Sequence, residues 1–284
     1  MNKMDKSGLI LSNNCEVYHL NFNADMLAPI VFTVGDPERI SMFKPYFSTI
    51  HKETQSREIR ALKGLINGKE VLVISTGMGT DNIDIVVNEL ELLANWDLNR
   101  QEMKKELQRL KIIRLGTSGA LSPNFQVDDI VFSRYAFAFD NQHIWYPLEE
   151  DDATENKSFN NLASSLTGMG TGIVSASESL MEQCPSEILP SLNYTANGFY
   201  ANQGRFLKDS ETDLFDKISS LSFAGMDLGN IEMETAGLYR LAAYYGHEAI
   251  SVSALLAQRK KGGFSKNPTE TLNTALSMLI ESFV

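Results

Sequence analysis

The sequence predicts an α/β fold in which a mixed, largely parallel central sheet is flanked by helices within one domain, residues 1–284. Short apolar runs of the length of buried strands alternate with longer segments of helical periodicity. Three of these runs end in a glycine-containing turn. Because ligands bind beyond the carboxyl ends of the strands in such sheets, we expect a functional site at these turns.

The predicted strands follow one another along the chain. Residues 28–35 ("APIVFTVG"), 70–77 ("EVLVISTG") and 111–119 ("KIIRLGTSG") are apolar runs that end in glycine. Two further strands are predicted at residues 128–133 ("DDIVFS") and 248–257 ("EAISVSALLA"). A glycine directly after a strand allows the backbone to approach a ligand closely, which favours a binding role for the turns.

Helices are predicted between and after these strands. Asp81 or Asn82 is placed to cap a helix start, and Gly246 ends a second helix over residues 234–246 ("ETAGLYRLAAYYG"). The charged stretch 97–111 ("DLNRQEMKKELQRLK") indicates an inserted surface helix. The first helix is predicted from apolar residues at helical spacing, Ile83, Val86, Val87, Leu90 and Leu93.

Composition limits the function classes. The formal net charge of −11 disfavours nucleic acid or an anionic membrane as the main partner, because both need a basic face. The two cysteines, Cys15 and Cys184, lack a metal-ligand spacing and indicate a reducing cytoplasm. Residues 1–14 lack the apolar segment of a signal peptide. No apolar run reaches the ~18 residues of a membrane span.

Several short stretches carry groups suited to small-molecule chemistry. "VGDPER" (34–39) and "RLGTSG" (114–119) combine arginine with glycine at strand ends, which suits an anion cradle. "REIR" (57–60) pairs two arginines with a glutamate, and "NIEMETAG" (230–237) places two carboxylates before a helix. Each stretch taken alone has a structural alternative: a turn for "VGDPER", a bend of the sheet for "RLGTSG", a paired surface patch for "REIR" and a capped helix start for "NIEMETAG". No zinc-ligand spacing and no Gly-x-Ser-x-Gly nucleophile motif is present.

Taken together and in this order, the motifs resemble the nucleoside phosphorylase superfamily, and within it the uridine phosphorylase branch. The resemblance covers most of the chain, from His19 to Arg259. The matching stretches are "YHLNFN", "VGDPER", "SRE", "STGMG", "RLGTSG", "GFYANQGR", "NIEMETAG" and "LLAQR". The resemblance implies reversible phosphorolysis of a pyrimidine nucleoside to the free base and ribose 1-phosphate, with nucleoside and phosphate as the binding partners.

The resemblance also implies the role of each site residue. Arg114, Glu234 and Arg205 would carry catalysis by positioning and charge stabilisation. Arg57 would reach the phosphate of a neighbouring subunit, and His19 the 5′-hydroxyl of its nucleoside. The phosphate-binding residues would be Gly35, Arg39, Arg57, Arg114 and Thr117. The ribose-binding residues would be His19, Glu232, Met233 and Glu234. The base-binding residues would be Phe199, Gln203, Arg205 and Arg259.

A site shared between subunits implies a homodimer at least, with a hexamer built as a trimer of dimers as the larger alternative. No cofactor and no structural metal is expected, although Glu58 matches a family position linked to a monovalent cation. Residues 80–82 and the pair Ala201–Asn202 depart from the family pattern. A purine nucleoside phosphorylase, a nucleosidase of the same fold and a catalytically silent nucleoside-binding protein remain alternatives. Gly262 and Gly263 suit the hinges of a lid over residues 259–267, and a flexible surface loop without a closing role is the alternative.

Overall fold

A mixed eleven-stranded sheet forms the centre of the computed structural model, which describes residues 10–12, 14–209 and 212–284. Two short strands, β5 and β6, form a separate hairpin. The strands are β1 (Ile30–Val34), β2 (Thr49–Ser56), β3 (Ile59–Ile66), β4 (Lys69–Ser75), β5 (Trp96–Asp97), β6 (Glu102–Met103), β7 (Lys111–Ala120), β8 (Ile130–Ala138), β9 (Gly172–Ser175), β10 (Leu189–Thr195), β11 (Ser222–Phe223), β12 (Met226–Glu232) and β13 (Glu248–Gln258).

The strand order explains where the predicted motifs meet. The sheet runs β11-β12-β10-β8-β13-β7-β1-β4-β3-β2, with β9 paired to β8. At its centre β1 pairs in parallel with both β4 and β7, and β7 pairs in parallel with β13. The register places Val34 beside Ser75 and Leu115. Because these strands are parallel, the turns after β1 and β4 and the last residues of β7 lie at the same edge.

Helices pack on this sheet through apolar faces. α2 contacts α7, α7 contacts β8 and β13, and α8 contacts β7 and β13. Gly246 ends α7 in the left-handed conformation, as predicted. The helices are α1 (Ile40–Phe43), α2 (Thr80–Asn95), α3 (Gln142–Trp145), α4 (Thr154–Thr167), α5 (Glu178–Met181), α6 (Leu214–Ser219), α7 (Thr235–Tyr245) and α8 (Pro268–Phe283). The predicted α/β class with a mixed sheet is therefore confirmed.

The predicted cap of α2 is wrong. The helix begins at Thr80, so Asp81 and Asn82 lie inside its first turn instead of before it. Gly79 is the N-terminal cap, with a φ of 89° that favours glycine. Glycine has no side chain that could cap the helix. The backbone N–H of Gly79 instead donates to Oε1 of Glu234 at 2.8 Å. The helix start is thus tied to the functional edge of the sheet.

The surface helix predicted over residues 97–111 is also wrong. This stretch contains the β5–β6 hairpin and then an irregular segment. Asn95 ends α2 and bonds the backbone of Gln108, accepting from its N–H at 2.6 Å and donating to its carbonyl at 3.2 Å. Nζ of Lys104 donates to the carbonyls of Leu93 and Ala94. Because Lys104 and the backbone of Gln108 bond the end of α2, the segment folds back on that helix instead of forming a new one.

Residues 1–9, where the sequence predicts no signal peptide, lie outside the described residues. Of the helices in the part of the chain that the structure describes, none combines the length and apolar character that a membrane crossing requires.

Candidate active site

A cavity of about 800 Å³ opens at the carboxyl edge of β1, β4 and β7. The ends of β12 and β13 and the 198–205 loop complete its wall. Residues from seven of the eight matching stretches therefore meet in one place, as the strand-end argument predicts. Ten predicted site residues line it, Gly35, Arg39, Arg114, Thr117, Phe199, Gln203, Arg205, Glu232, Met233 and Glu234.

Arg114 lines the cavity with only 4% of its surface exposed. Its guanidinium lies over Gly116 on the same face of β7, and a Cβ at Gly116 would stand 2.0 Å from Nη1. Nη2 donates to Oε2 of Glu234 at 2.5 Å and lies 3.3 Å from Oε2 of Glu232. Burial alone would lower the pKa of Arg114, but these two carboxylates outweigh it and raise the pKa.

The carboxylates of Glu232, which ends β12, and Glu234, which precedes α7, make different contacts. Glu232 accepts hydrogen bonds from the backbone N–H groups of Glu234 and Thr235 and from the hydroxyl of Thr195, so it anchors the start of α7. Glu234 accepts from Arg114 and from the N–H of Gly79. Burial raises the pKa of Glu234, the charge of Arg114 opposes this, and Glu232 adds to it. Of the pair, Glu234 is the carboxylate more available to ligand hydroxyls.

A second arginine and two residues at strand ends line the cavity together with Arg114. Gly35 follows β1, Arg39 ends the short turn after it, and Thr117 lies near the end of β7. Burial lowers the pKa of Arg39, Asp36 opposes this shift, and the nearby charge of Arg114 adds to it. Two guanidinium groups close enough to repel each other form a site that an oxyanion would relieve.

The 198–205 loop contributes three residues to the wall of the cavity. Gln203 is 97% buried, whereas Phe199 is half-exposed at the rim. Nη1 of Arg205 donates to Oε1 of Gln203 at 2.5 Å and to the carbonyl of Phe199 at 2.8 Å. The Arg205 guanidinium also lies 4.0 Å from the centre of the Phe199 ring. The loop therefore presents an aromatic face beside a polar edge, as its composition predicts.

Arg259 supports this loop from behind. Its Nη2 donates to the backbone carbonyl of Gln203 at 2.6 Å, and it is not among the cavity-lining residues. A Cβ added at Gly119 would lie 3.5 Å from the Cγ of Arg259. Arg259 thus holds the backbone of a predicted base-binding residue, and its predicted direct contact with a base stays a prediction.

A known family matches the chain over most of its length. The sequence profile of the phosphorylase superfamily matches residues 29–283. The chain belongs to the phosphorylase superfamily. It is a member of the nucleoside phosphorylase family of pentosyltransferases, and the predicted membership of this superfamily is confirmed, whereas the uridine phosphorylase branch stays a prediction.

Relatives of this nucleoside phosphorylase differ in their named substrates. It is 25% identical to the uridine phosphorylase of Thermococcus kodakarensis over 88% of this chain and 80% of the relative. It is 24% identical to the Haemophilus influenzae uridine phosphorylase, over 93% and 96% of the two chains. It is 26% identical to the DeoD-type purine nucleoside phosphorylase of Bacillus velezensis, over 82% and 84%. Similarity alone therefore leaves the choice of base open.

Solved structures share the fold. The nucleoside phosphorylase of Trypanosoma brucei, described as showing uridine phosphorylase activity, superposes with a TM-score of 0.84 at 24% identity over 96% of this chain and 98% of its own. The purine nucleoside phosphorylase of Toxoplasma gondii superposes with a TM-score of 0.64 at 16% identity, over 93% and 94%. The phosphorylase fold is common to enzymes named for both base classes.

Two predicted site residues of this nucleoside phosphorylase lie away from the cavity. His19 and Arg57 meet through Tyr18, whose ring stands edge-on to His19 at 4.8 Å and carries the Arg57 guanidinium 5.5 Å above it. Glu89 accepts from Nδ1 of His19 at 2.6 Å and from the backbone N–H groups of His19 and Leu20. Because Nδ1 of His19 bonds Glu89, Nε2 on the other side of the ring faces away from Glu89. His19 and Arg57 thus share one surface patch outside the cavity.

The predicted cation position lies on the cavity wall. Glu58 and Asn82 both flank Gly77, where an added Cβ would stand 3.1 Å from Cγ of Glu58 and 2.4 Å from Nδ2 of Asn82. Nδ2 of Asn82 donates to the carbonyl of Met78 at 3.2 Å. A monovalent cation beside Glu58 stays a prediction.

Sequence reasoning missed three residues that orient the site. Glu89 fixes His19, Ser251 accepts from Nη1 of Arg114 at 3.3 Å, and Phe264 lines the cavity with 80% of its surface exposed. The sequence offered a clue to the role of Ser251, because a serine in an apolar buried strand needs a polar partner. Glu89 had a similar signal as a carboxylate on the apolar face of α2. The contact of Phe264 with the cavity depends on the turn after β13, which the periodicity does not describe.

Proposed function

We propose that this nucleoside phosphorylase is a uridine phosphorylase, which converts uridine and phosphate reversibly to uracil and ribose 1-phosphate. The observation that carries the proposal is the buried Gln203 amide that is bonded to Arg205 in the wall of the cavity that Arg39 and Arg114 also line. An amide that both donates and accepts suits the alternating O2 and N3–H edge of uracil. Arg205 supplies only donors, which suits O4.

The charge distribution of the cavity supports phosphorolysis. A phosphate oxygen would attack C1′ of the ribose while the bond from C1′ to N1 of the base breaks and its electron pair passes to the base. Arg39 and Arg114 would hold the phosphate, and Glu234 would accept from the ribose hydroxyls beside Met233. Arg205 would stabilise the negative charge on the departing uracil. Catalysis by fixed charges of this kind needs no protein nucleophile.

Three alternatives are weaker on specific observations. Purine recognition at N7 would need a proton donor near the end of β13, where the cavity is lined by Leu256 and Ala257. A nucleosidase uses water, and water needs no pair of guanidinium groups such as Arg39 and Arg114. A silent binding protein would not need the costly burial of Arg114 with two carboxylates.

The proposed enzyme is a homodimer at least. The larger alternative is a hexamer built as a trimer of dimers. The His19 and Arg57 patch supports this, because both residues lie outside the cavity of their own chain. In the dimer they would complete the neighbour's site at the 5′-hydroxyl and the phosphate. We place the enzyme in the cytoplasm, because its two cysteines are free thiols.

Product analysis tests the proposed function directly. The purified protein is incubated with uridine in the presence and absence of phosphate, and the products are separated by chromatography. The proposal expects uracil and ribose 1-phosphate, formed only when phosphate is present. Free ribose would indicate a nucleosidase, and binding of uridine without turnover would indicate a silent binding protein. Inosine cleaved faster than uridine would move the enzyme to the purine class.

A further inference from the structure

Arg114 is held from two sides by groups of different character. On one side the carboxylates of Glu234 and Glu232 contact Nη2. On the other side Oγ of Ser251 accepts from Nη1 at 3.3 Å. Nε of Arg114 has no hydrogen-bond partner among the residues that the structure describes. A guanidinium has five N–H donors, so donors beyond these three contacts remain for a ligand.

Ser251 is itself fixed by its surroundings. It pairs directly with Arg114 across β13 and β7, so the two side chains share one face of the sheet. Its backbone N–H donates to the hydroxyl of Tyr239 at 2.8 Å, and that hydroxyl donates to the carbonyl of Ser133 at 2.7 Å. Its Oγ also lies 2.9 Å from Oγ1 of Thr235. Ser251, Thr235 and Tyr239 are all fully buried, so no water competes for these bonds.

We propose that Ser251 is a positioning residue for phosphate binding, acting through Arg114. Two carboxylates draw the guanidinium towards the end of β12. The Ser251 hydroxyl holds its other nitrogen by a neutral bond, which restrains the guanidinium without cancelling its charge. If this bond is lost, the guanidinium can turn further towards Glu232 and Glu234, and phosphate must then compete with a tighter ion pair. The inference rests on the proposed function only in assigning Arg114 to phosphate.

The test compares two serines on the same strand. Ser251→Ala removes the acceptor but keeps the backbone bond to Tyr239, so we expect it to fold. Ser253→Ala is the matched control, because Ser253 is equally buried and its Oγ has no hydrogen-bond partner in the described part of the chain. Calorimetric titration with inorganic phosphate should show roughly tenfold weaker binding for Ser251→Ala, the scale of one bond to a charged group. Ser253→Ala should bind phosphate like the wild type.

Kinetics and a second variant separate positioning from a packing effect. Ser251→Ala should raise the KM for phosphate about as much as the dissociation constant and more than the KM for uridine, while kcat at saturating phosphate stays within about twofold. Ser251→Cys keeps the shape with a weak acceptor and should behave like Ser251→Ala. Equal phosphate affinity in the wild type, Ser251→Ala and Ser251→Cys would overturn the proposal, whatever happens to the melting temperature.

The experiments distinguish a failure of the positioning role of Ser251 from a failure of the proposed function. If the wild type binds phosphate but leaves uridine intact, the function is wrong and the phosphate titrations still decide the role of Ser251. If the wild type cleaves uridine and Ser251→Ala binds phosphate normally, only the positioning role fails. A wild type that binds no phosphate overturns both.

Discussion

Arg114 and Glu234 share a buried hydrogen bond of 2.5 Å, which joins the residue assigned to phosphate to the residue assigned to ribose. Each is more than nine-tenths buried. Such a contact makes the two substrate sites interdependent, because a change at either residue alters the charge that the other experiences. The consequences differ for Arg114, Arg39 and Glu234, and they can be measured separately.

Arg39→Ala should weaken phosphate use with little loss of stability. Arg114→Ala should both weaken phosphate use and destabilise the fold. Each charge-assisted bond lost to phosphate costs about 1.5–3 kcal/mol, so the KM for phosphate should rise roughly ten- to a hundredfold. Removing Arg114 also leaves Glu232 and Glu234 buried without their cation, at a cost of about 3–5 kcal/mol in the free energy of unfolding. Phosphate titration and urea denaturation measure the two effects.

Arg134→Ala is the control for both arginine variants, because Arg134 lies exposed on β8 against the Tyr135 ring and outside the cavity. It should leave the phosphate dependence unchanged. An unchanged phosphate KM in Arg39→Ala and Arg114→Ala alike would remove the phosphate assignment.

The pH dependence of uridine cleavage should report Glu234. Burial, opposed by Arg114 and assisted by Glu232, raises its pKa above the ordinary value of 4.5. A raised pKa means that the carboxylate takes up a proton at a higher pH than an ordinary glutamate does. Because the protonated form is the poorer acceptor for ribose hydroxyls, kcat/KM for uridine at saturating phosphate should fall on the acid side with a midpoint above 4.5. In Glu234→Gln this acid limb should disappear, and a limb that persists there belongs to another group.

The sequence was informative where strands end and uninformative where contacts are made through turns. The apolar runs before Gly35, Gly77 and Gly119 predicted the parallel strands, and strand geometry then brought their ends together. The α2 cap failed because Gly79, with no side chain to signal its role, begins the helix. The segment 97–111 has a helical composition, but bonds to the end of α2 override that preference.

The surface position of His19 and Arg57 leads to a complementation test. His19→Ala and Glu234→Ala each damage a different half of a shared site, so each homo-oligomer should be nearly inactive. When the two chains are mixed and allowed to exchange, one hybrid site in each mixed dimer keeps both residues, and activity should return in part. Differently tagged chains verify the exchange. No recovery in verified mixed dimers would show that His19 does not serve the neighbour.

The turn after β13 is predicted to close over the base. The structure folds it back on β13, with the N–H of Gln258 bonded to the carbonyl of Gly263 at 3.1 Å and that of Ser265 to the carbonyl of Leu256 at 2.8 Å. Phe264 lies at the cavity rim, and Gly262 has a φ of 71°. Trypsin should cut this lysine-rich turn more slowly when uracil and phosphate are both bound. Equal cutting rates with and without ligands would count against closure, and Phe264→Ala should reduce the protection.

Base choice gives the most direct test of the 198–205 loop. Gln203 is buried and lines the cavity, so a base that cannot pair with its amide leaves polar groups without partners. Sites built to hydrogen-bond their substrate reject mismatched ones by roughly 10⁴-fold or more. Uridine should therefore be cleaved far faster than inosine. Cytidine should also be poor, because its 4-amino group places a donor where Arg205 needs an acceptor.

The double variant Gln203→Ala with Arg205→Ala should lower kcat/KM for uridine and narrow its advantage over cytidine and inosine. Removing both partners of the 2.5 Å bond avoids leaving one of them unpaired, so the change reports base recognition more than stability. Arg259→Ala is the informative comparison, because it removes the support of the Gln203 carbonyl while leaving both base-reading side chains in place. It should lower uridine turnover less than the double variant does and keep the order of preference. If the double variant retains the wild-type preference, the base is selected elsewhere in the cavity.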